Sequence, residues 1–170
     1  MDLSAKIRPI ENVPVEGVTF RDITPLLADA DAYQEAINWL AEKAKACDAN
    51  VVLGIEARGF IVGAPVAYKN GCGFVPVRKP GKLPAETVKA TYTLEYGTDT
   101  LEMHKDAIKE GDRVVIVDDL LATGGTAKAT VDMVRFLGGD VVGCVFLIEL
   151  PDLGGRKALE GINVESLLRY

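Results

Sequence analysis

The chain has 170 residues, a length that predicts one domain and excludes a large two-domain enzyme. Apolar types make up 48% of it and charged types 26%, enough for a packed core, which excludes a disordered chain. Its 19 basic and 25 acidic residues leave a net charge of -6, so the overall field repels phosphate backbones; a nucleic-acid binder is disfavoured, and an anionic ligand has to be captured by a local cluster of N–H groups and cations.

Residues 1–28 hold Pro9, Pro14 and Pro25 with little helical period, which predicts a small flap, or hood, outside the main sheet. Asp2, Lys6 and Arg8 interrupt the first residues, so the apolar run of a signal peptide is missing. Apolar residues at Tyr33, Ala36, Ile37, Leu40, Ala41 and Ala44 predict an amphipathic helix over 31–47, with Asp29 or Asp31 as its cap. Val51–Ile55 is a short β-branched run that reads as a buried strand, followed by a loop over 56–59, a helix over 60–69 and a strand over 73–77. The rhythm then breaks. Residues 78–104 open on Arg78-Lys79-Pro80-Gly81-Lys82-Leu83-Pro84 and run on past Gly97, a pattern that predicts a flexible loop leading into a lid hairpin. A strand over 114–117, a helix over 125–137 and a strand over 141–148 complete the series, and the C-terminal tail is uninformative. The alternation predicts an α/β single domain, a mostly parallel sheet flanked by helices.

Cys47, Cys72 and Cys144 form no spaced pair, which suits a reducing compartment rather than a disulfide framework. His104 is the sole histidine and cannot complete a zinc site. No apolar run approaches the roughly 18 residues of a membrane span. The expectation is a soluble, cytoplasmic protein with no membrane or nucleic-acid partner.

Residues 114–126 carry the chemistry. Four β-branched residues lead to Asp118 and Asp119, and Ala122, Thr123, Gly124, Gly125 and Thr126 open the next helix. Ligands of open α/β sheets bind beyond the carboxyl ends of strands, and free N–H groups at a helix start favour phosphate. Glycines admit a close backbone approach, and the threonines add hydroxyl donors. Paired carboxylates are poor phosphate ligands but good acceptors for neighbouring sugar hydroxyls, so a phosphorylated sugar fits both halves. A Walker loop is excluded because Phe60 and Ile61 occupy the Lys-Ser/Thr places after Gly54 and Gly59.

Asp118-Asp119-Leu120-Leu121-Ala122-Thr123-Gly124-Gly125-Thr126 resembles the phosphoribosyl-pyrophosphate (PRPP) motif of the type I phosphoribosyltransferases. Phe20-Arg21-Asp22-Ile23-Thr24, Glu56-Ala57-Arg58-Gly59-Phe60, residues 78–84 and Leu94-Glu95-Tyr96-Gly97 occur in the order that resembles the adenine-specific branch of that family. The resemblance implies the type I fold and the reaction of adenine with PRPP to give AMP and pyrophosphate, with Mg2+ carried by PRPP and no direct metal ligand in the protein. It implies that residues 122–126 hold the 5-phosphate and that Asp118 and Asp119 take the ribose hydroxyls. Arg58, Arg78, Lys79, Lys82 and His104 would serve pyrophosphate and the lid. Thr19, Phe20, Arg21 and Leu120 would form the adenine pocket. Arg58 would also assist catalysis, and Glu95 would handle a purine proton with Tyr96 beside it. The resemblance further implies a homodimer, and a cis peptide at Glu56-Ala57. Enzymes for 6-oxopurines place a lysine after the PRPP motif, and no lysine lies between Lys128 and Lys157, which favours the 6-amino purine. Two alternatives stay open: a phosphoribosyltransferase for another purine such as xanthine, and a PRPP-binding regulator of nucleic acid, which the acidic balance and the lack of spare length disfavour.

Overall fold

The computed structural model describes residues 1–94 and 97–170. The helix expected over 31–47 is α2, Ala30–Ala46. Asp29 starts it, accepting from the N–H groups of Asp31 and Ala32, two donors that the first helical turn leaves without partners. Its apolar stripe, with Ile37, Leu40, Ala41 and Ala44, packs on Val52, Val115, Val117 and Val145 of the sheet and on Val62 and Val66.

The sheet contains β3 (Val51–Ile55), β4 (Gly73–Val77), β7 (Arg113–Leu121), β8 (Asp140–Glu149) and β9 (Val164–Arg169), in the order β4-β3-β7-β8-β9. All four pairings are parallel. Helices cover both faces: α2 and α3 (Arg58–Asn70) on one, α4 (Gly125–Phe136) on the other. That double cover explains why β3 is buried at every position and reads as a continuous apolar run.

Three boundaries differ from the sequence reading. Helix α3 begins at Arg58, so the expected loop shrinks and Arg58 becomes the first helical residue. Strand β7 runs through Leu121, because the parallel ladder to β8 continues to Leu121↔Glu149; the two aspartates lie within the strand rather than after it. The tail supplies β9, an edge strand whose half-buried residues carry a weak pattern.

The first 28 residues form a separate two-stranded antiparallel sheet, β1 (Arg8–Glu11) with β2 (Thr19–Asp22), and a short helix α1 (Thr24–Ala28). Leu3, Ile7, Ile23 and Leu26 seat this unit on Leu147 and Ile148. Asp22 is its hub: one carboxylate oxygen accepts from Arg8 Nε and Nη2 at 2.9 and 2.6 Å, the other from the N–H and hydroxyl of Thr24 at 2.9 and 2.8 Å. The other insertion is the hairpin β5 (Thr87–Thr93) with β6 (Thr98–His104). Its base is part of the core, with Leu101 and Met103 buried and Val88 and Ala90 packed against them.

Candidate active site

In a parallel sheet the chain winds outward in both directions from one pair of strands, and the gap between their carboxyl ends is where ligands bind. Here the pair is β3 and β7. From β3 the chain passes through α3 to β4 on one side, and from β7 through α4 to β8 on the other. A cleft of about 270 Å³ lies there, lined by residues 55–58 and 118–127.

The floor on the β7 side is the loop into α4. Gly124 stands before the helix at φ +87°, and no side chain caps the first turn, so its N–H groups are open to an anion. Gly124 is sterically required, and Gly125 leaves little room for a side chain. A Cβ on Gly124 would lie 2.8 Å from the Ala158 methyl and from the Gly155 carbonyl oxygen, and one on Gly125 would lie 3.0 Å from the Tyr92 ring. The Thr126 hydroxyl donates to the Tyr92 hydroxyl at 3.1 Å, and Tyr92 donates to Asp99 at 3.2 Å. The hairpin therefore touches the loop directly.

Asp118 and Asp119 share this floor. The Asp118 carboxylate accepts the Asp119 N–H at 2.9 Å, and a Cβ on Gly59 would meet it at 2.7 Å. Burial pushes the Asp118 carboxyl well above the usual carboxylate range, and the neighbouring Asp119 charge pushes it the same way. Asp119 accepts from Arg58 Nε at 2.5 Å. Burial is the largest single influence on Arg58 and works against its charge, but the hydrogen bond and charge of Asp119, with the charges of Asp118 and Asp22, together raise its pKa above the ordinary value.

The peptide Glu56–Ala57 is cis, as expected from the resemblance. The Glu56 carboxylate accepts the Lys79 N–H at 2.7 Å and Arg78 Nε at 3.3 Å. Glu102 is buried and accepts the Gly81 N–H at 2.8 Å and the Thr87 hydroxyl at 2.7 Å. Two carboxylates thus pin the start of the basic segment that the sequence reads as a flexible loop. Within it the Lys79 ammonium lies 3.8 Å from Asp99, and Lys82 is exposed. His104 accepts the Ala85 N–H at 3.3 Å and is not among the cleft's lining residues.

Of the adenine-pocket set, Leu120 lines the cleft. Phe20 lies with its ring 5.6 Å from the Arg58 guanidinium, and Arg21 stacks over Tyr170 at 4.3 Å. Thr19 opens β2 and is exposed. Glu95 and Tyr96 lie outside the described residues. The sequence reading missed Asp22, Glu56, Tyr92, Glu102 and Tyr170. Only Asp22 carried a local signal, the Asp-x-Thr spacing of a side chain that turns back on the backbone two residues on.

No helix among the described residues is long and apolar enough to cross a membrane. A family model described as the phosphoribosyl transferase domain matches residues 22–163. The adenine phosphoribosyltransferase of Alkaliphilus oremlandii is 58% identical over 170 residues, covering 100% of this chain and 99% of the relative. The crystal structure of the adenine phosphoribosyltransferase from Thermoanaerobacter pseudethanolicus superposes with a TM-score of 0.97 at 53% identity, covering 99% of this chain and 98% of that one. The Saccharomyces cerevisiae enzyme, solved with adenine and an imino-altritol bisphosphate, gives 0.89 at 39% identity over 96% of this chain and 94% of its own. With an uncapped helix start, two aspartates and an arginine gathered at the strand switch, and with relatives of this identity along its whole length, the chain belongs to the adenine phosphoribosyltransferase family.

Proposed function

We propose that the protein transfers the 5-phosphoribosyl group of PRPP to adenine, giving AMP and pyrophosphate in purine salvage. The observation that carries this reading is the junction, in one cleft, of an uncapped helix start with two adjacent carboxylates. An anion site and acceptors for sugar hydroxyls adjoin there, as a ribose 5-phosphate requires. In the reaction the C1–O bond to pyrophosphate breaks as adenine N9 bonds to C1, and positive charge gathers on the sugar. Residues 122–126 hold the 5-phosphate, while Asp118 and Asp119 accept from the ribose hydroxyls and face the developing cation.

Arg58, Arg78, Lys79 and Lys82 neutralise the departing pyrophosphate, and closure of the hairpin excludes water. His104 belongs to this group only if its contact with Ala85 breaks. Phe20 and Leu120 sandwich the purine, main-chain groups of Thr19 and Arg21 read its edge, and Glu95 handles the N7 proton. Mg2+ arrives on PRPP. Such an ion takes most of its ligands from waters and substrate oxygens rather than from a cage of protein carboxylates. Bound there, the ion supplies charge neutralisation to pyrophosphate.

The protein acts in the cytoplasm as a homodimer in this reading. Sedimentation that shows only monomer at micromolar concentration removes the dimer. The activity is tested by incubating the protein with PRPP, Mg2+ and each nucleobase in turn. AMP and pyrophosphate should form from adenine; equal or faster turnover of hypoxanthine, guanine or xanthine overturns the assignment. Glu95→Gln should lower kcat by roughly 10²-fold with PRPP affinity unchanged, and full retention of kcat removes the proton-handling role.

A further inference from the structure

Glu149 ends β8 and is 2% exposed. A carboxylate that deep must have its oxygens filled by donors, and they are. Arg156 donates Nε to one oxygen at 2.8 Å and Nη2 to the other at 3.0 Å, and Ser166 of β9 donates its hydroxyl at 2.5 Å. Arg169 adds a guanidinium nitrogen at 3.4 Å. These donors hold the Glu149 carboxyl below its ordinary range, the hydrogen bonds from Arg156 most of all. The remaining terminal nitrogen of Arg156 donates to the Val164 carbonyl at 3.1 Å. Nothing in the proposed reaction uses this cluster.

What the cluster fixes is the place of Arg156, and with it the short helix α5, Gly155–Ala158. That helix lies behind the loop 122–124, on the side that does not line the cleft. The contact is as close as backbone allows. A Cβ on Gly155 would stand 2.6 Å from the Ala122 carbonyl oxygen and 2.6 Å from Leu121 Cδ1, and one on Gly124 would stand 2.8 Å from both the Gly155 carbonyl oxygen and the Ala158 methyl. The Leu150 N–H donates to the Leu121 carbonyl at 2.9 Å, which joins the two segments at their start.

We propose that Glu149 and Arg156 are a positioning pair for the phosphate loop: their bidentate ion pair clamps α5 against residues 122–124 and so sets the direction in which the loop's N–H groups point. The inference rests on the reading of residues 122–126 as the 5-phosphate site. Neither residue touches substrate. A loop that makes its contacts mainly through backbone groups cannot correct its own aim by rotating a side chain, so the surface behind it decides the geometry.

The test is a split between ligands. AMP and ribose 5-phosphate carry the 5-phosphate, and inorganic pyrophosphate does not. Arg156→Met removes the clamp, and Gly155→Ala wedges a methyl against Ala122 with no change of charge. Calorimetry should show AMP and ribose 5-phosphate bound roughly 10- to 100-fold more weakly by each variant, the cost of an ångström-scale displacement in a binding site, with pyrophosphate affinity unchanged. The KM for PRPP should rise more than kcat falls, and Arg156→Lys, which keeps one charged donor, should lie between wild type and Arg156→Met.

Equal losses for pyrophosphate and AMP would mean general loosening and overturn the proposal. So would unaltered AMP binding by folded Gly155→Ala, which decides the matter even if Arg156→Met does not fold. Thr126→Asp, which sets a fixed negative charge in the first turn of α4 beside the loop's N–H groups, separates the two levels. If it leaves ribose 5-phosphate affinity intact, the phosphate-loop reading falls and the positioning role with it. If it weakens that affinity while Gly155→Ala and Arg156→Met do not, the positioning role alone falls.

Discussion

A carboxylate held as deeply as that of Asp118 weakens the fold while it is ionised. Its carboxyl is raised above the usual range, chiefly by burial, so the folded state takes up a proton more readily than the unfolded chain does. The stability linked to it is therefore greatest below the ordinary carboxylate value and declines as pH rises through the raised one. Asp118→Asn removes that charge and keeps an oxygen for the Asp119 N–H. Its melting temperature at neutral pH should rise by roughly 2–4 °C, the shift that ~1 kcal/mol produces in a chain of this size, while PRPP binding weakens. A fall in Tm would contradict the cost assigned to the charge. Gly59 tests the same carboxyl by packing: Gly59→Ala brings a methyl to 2.7 Å from it, and the displaced Asp118 should cost roughly tenfold or more in PRPP affinity, read by calorimetry. Both aspartates were legible in the sequence because a β-branched strand followed by paired acids and small residues is a local pattern. The Arg58–Asp119 pair was not, since 61 positions separate the two residues and only the parallel pairing of β3 with β7 joins them.

Among the elements, legibility followed burial. Strand β3 and helix α2 carry strong periods because one is covered on both faces and the other on one, and both lie where the sequence puts them to within a residue. Strands β1, β2 and β9 were not read: β1 is exposed throughout and β9 is half-buried along most of its length, so neither shows an alternation. Local hydrogen bonds hold the hood instead. The donors on Asp22, first the Thr24 N–H and then the Arg8 and Thr24 side chains, keep its carboxyl down to about 2 from the ordinary 3.8. A depressed folded value means that the stability is present above 3.8 and lost as pH falls through about 2. Asp22→Asn should flatten that part of the acid limb in a plot of urea midpoint against pH; an unchanged limb would assign the acid sensitivity elsewhere. The basic segment after β4 belongs at this scale too. Glu102→Ala frees both Gly81 and Thr87, and pyrophosphate binding should weaken roughly tenfold while AMP binding holds.

The whole molecule was legible as a class. An alternation of strands and helices predicts a parallel sheet with covers on both faces, and the pairings bear that out. Strand order was beyond the sequence, because nothing local says that β7 rather than β4 continues the sheet beside β3 on its other side. That order has a thermodynamic consequence. The carboxylates of the cleft belong to β7, the middle strand, so their place in space is lost only when the sheet itself comes apart. A form that has lost the five-stranded sheet keeps none of that geometry, and a ligand therefore acts by mass action on the unfolding of the sheet. AMP at a hundred times its Kd should add about 2.7 kcal/mol to the stability of the folded chain, and each further tenfold in concentration about 1.4 kcal/mol more. The melting temperature should then climb with the logarithm of AMP concentration long after the site is full, without a plateau. A curve that levels off at saturation would mean that the chain can lose its fold and still hold the nucleotide.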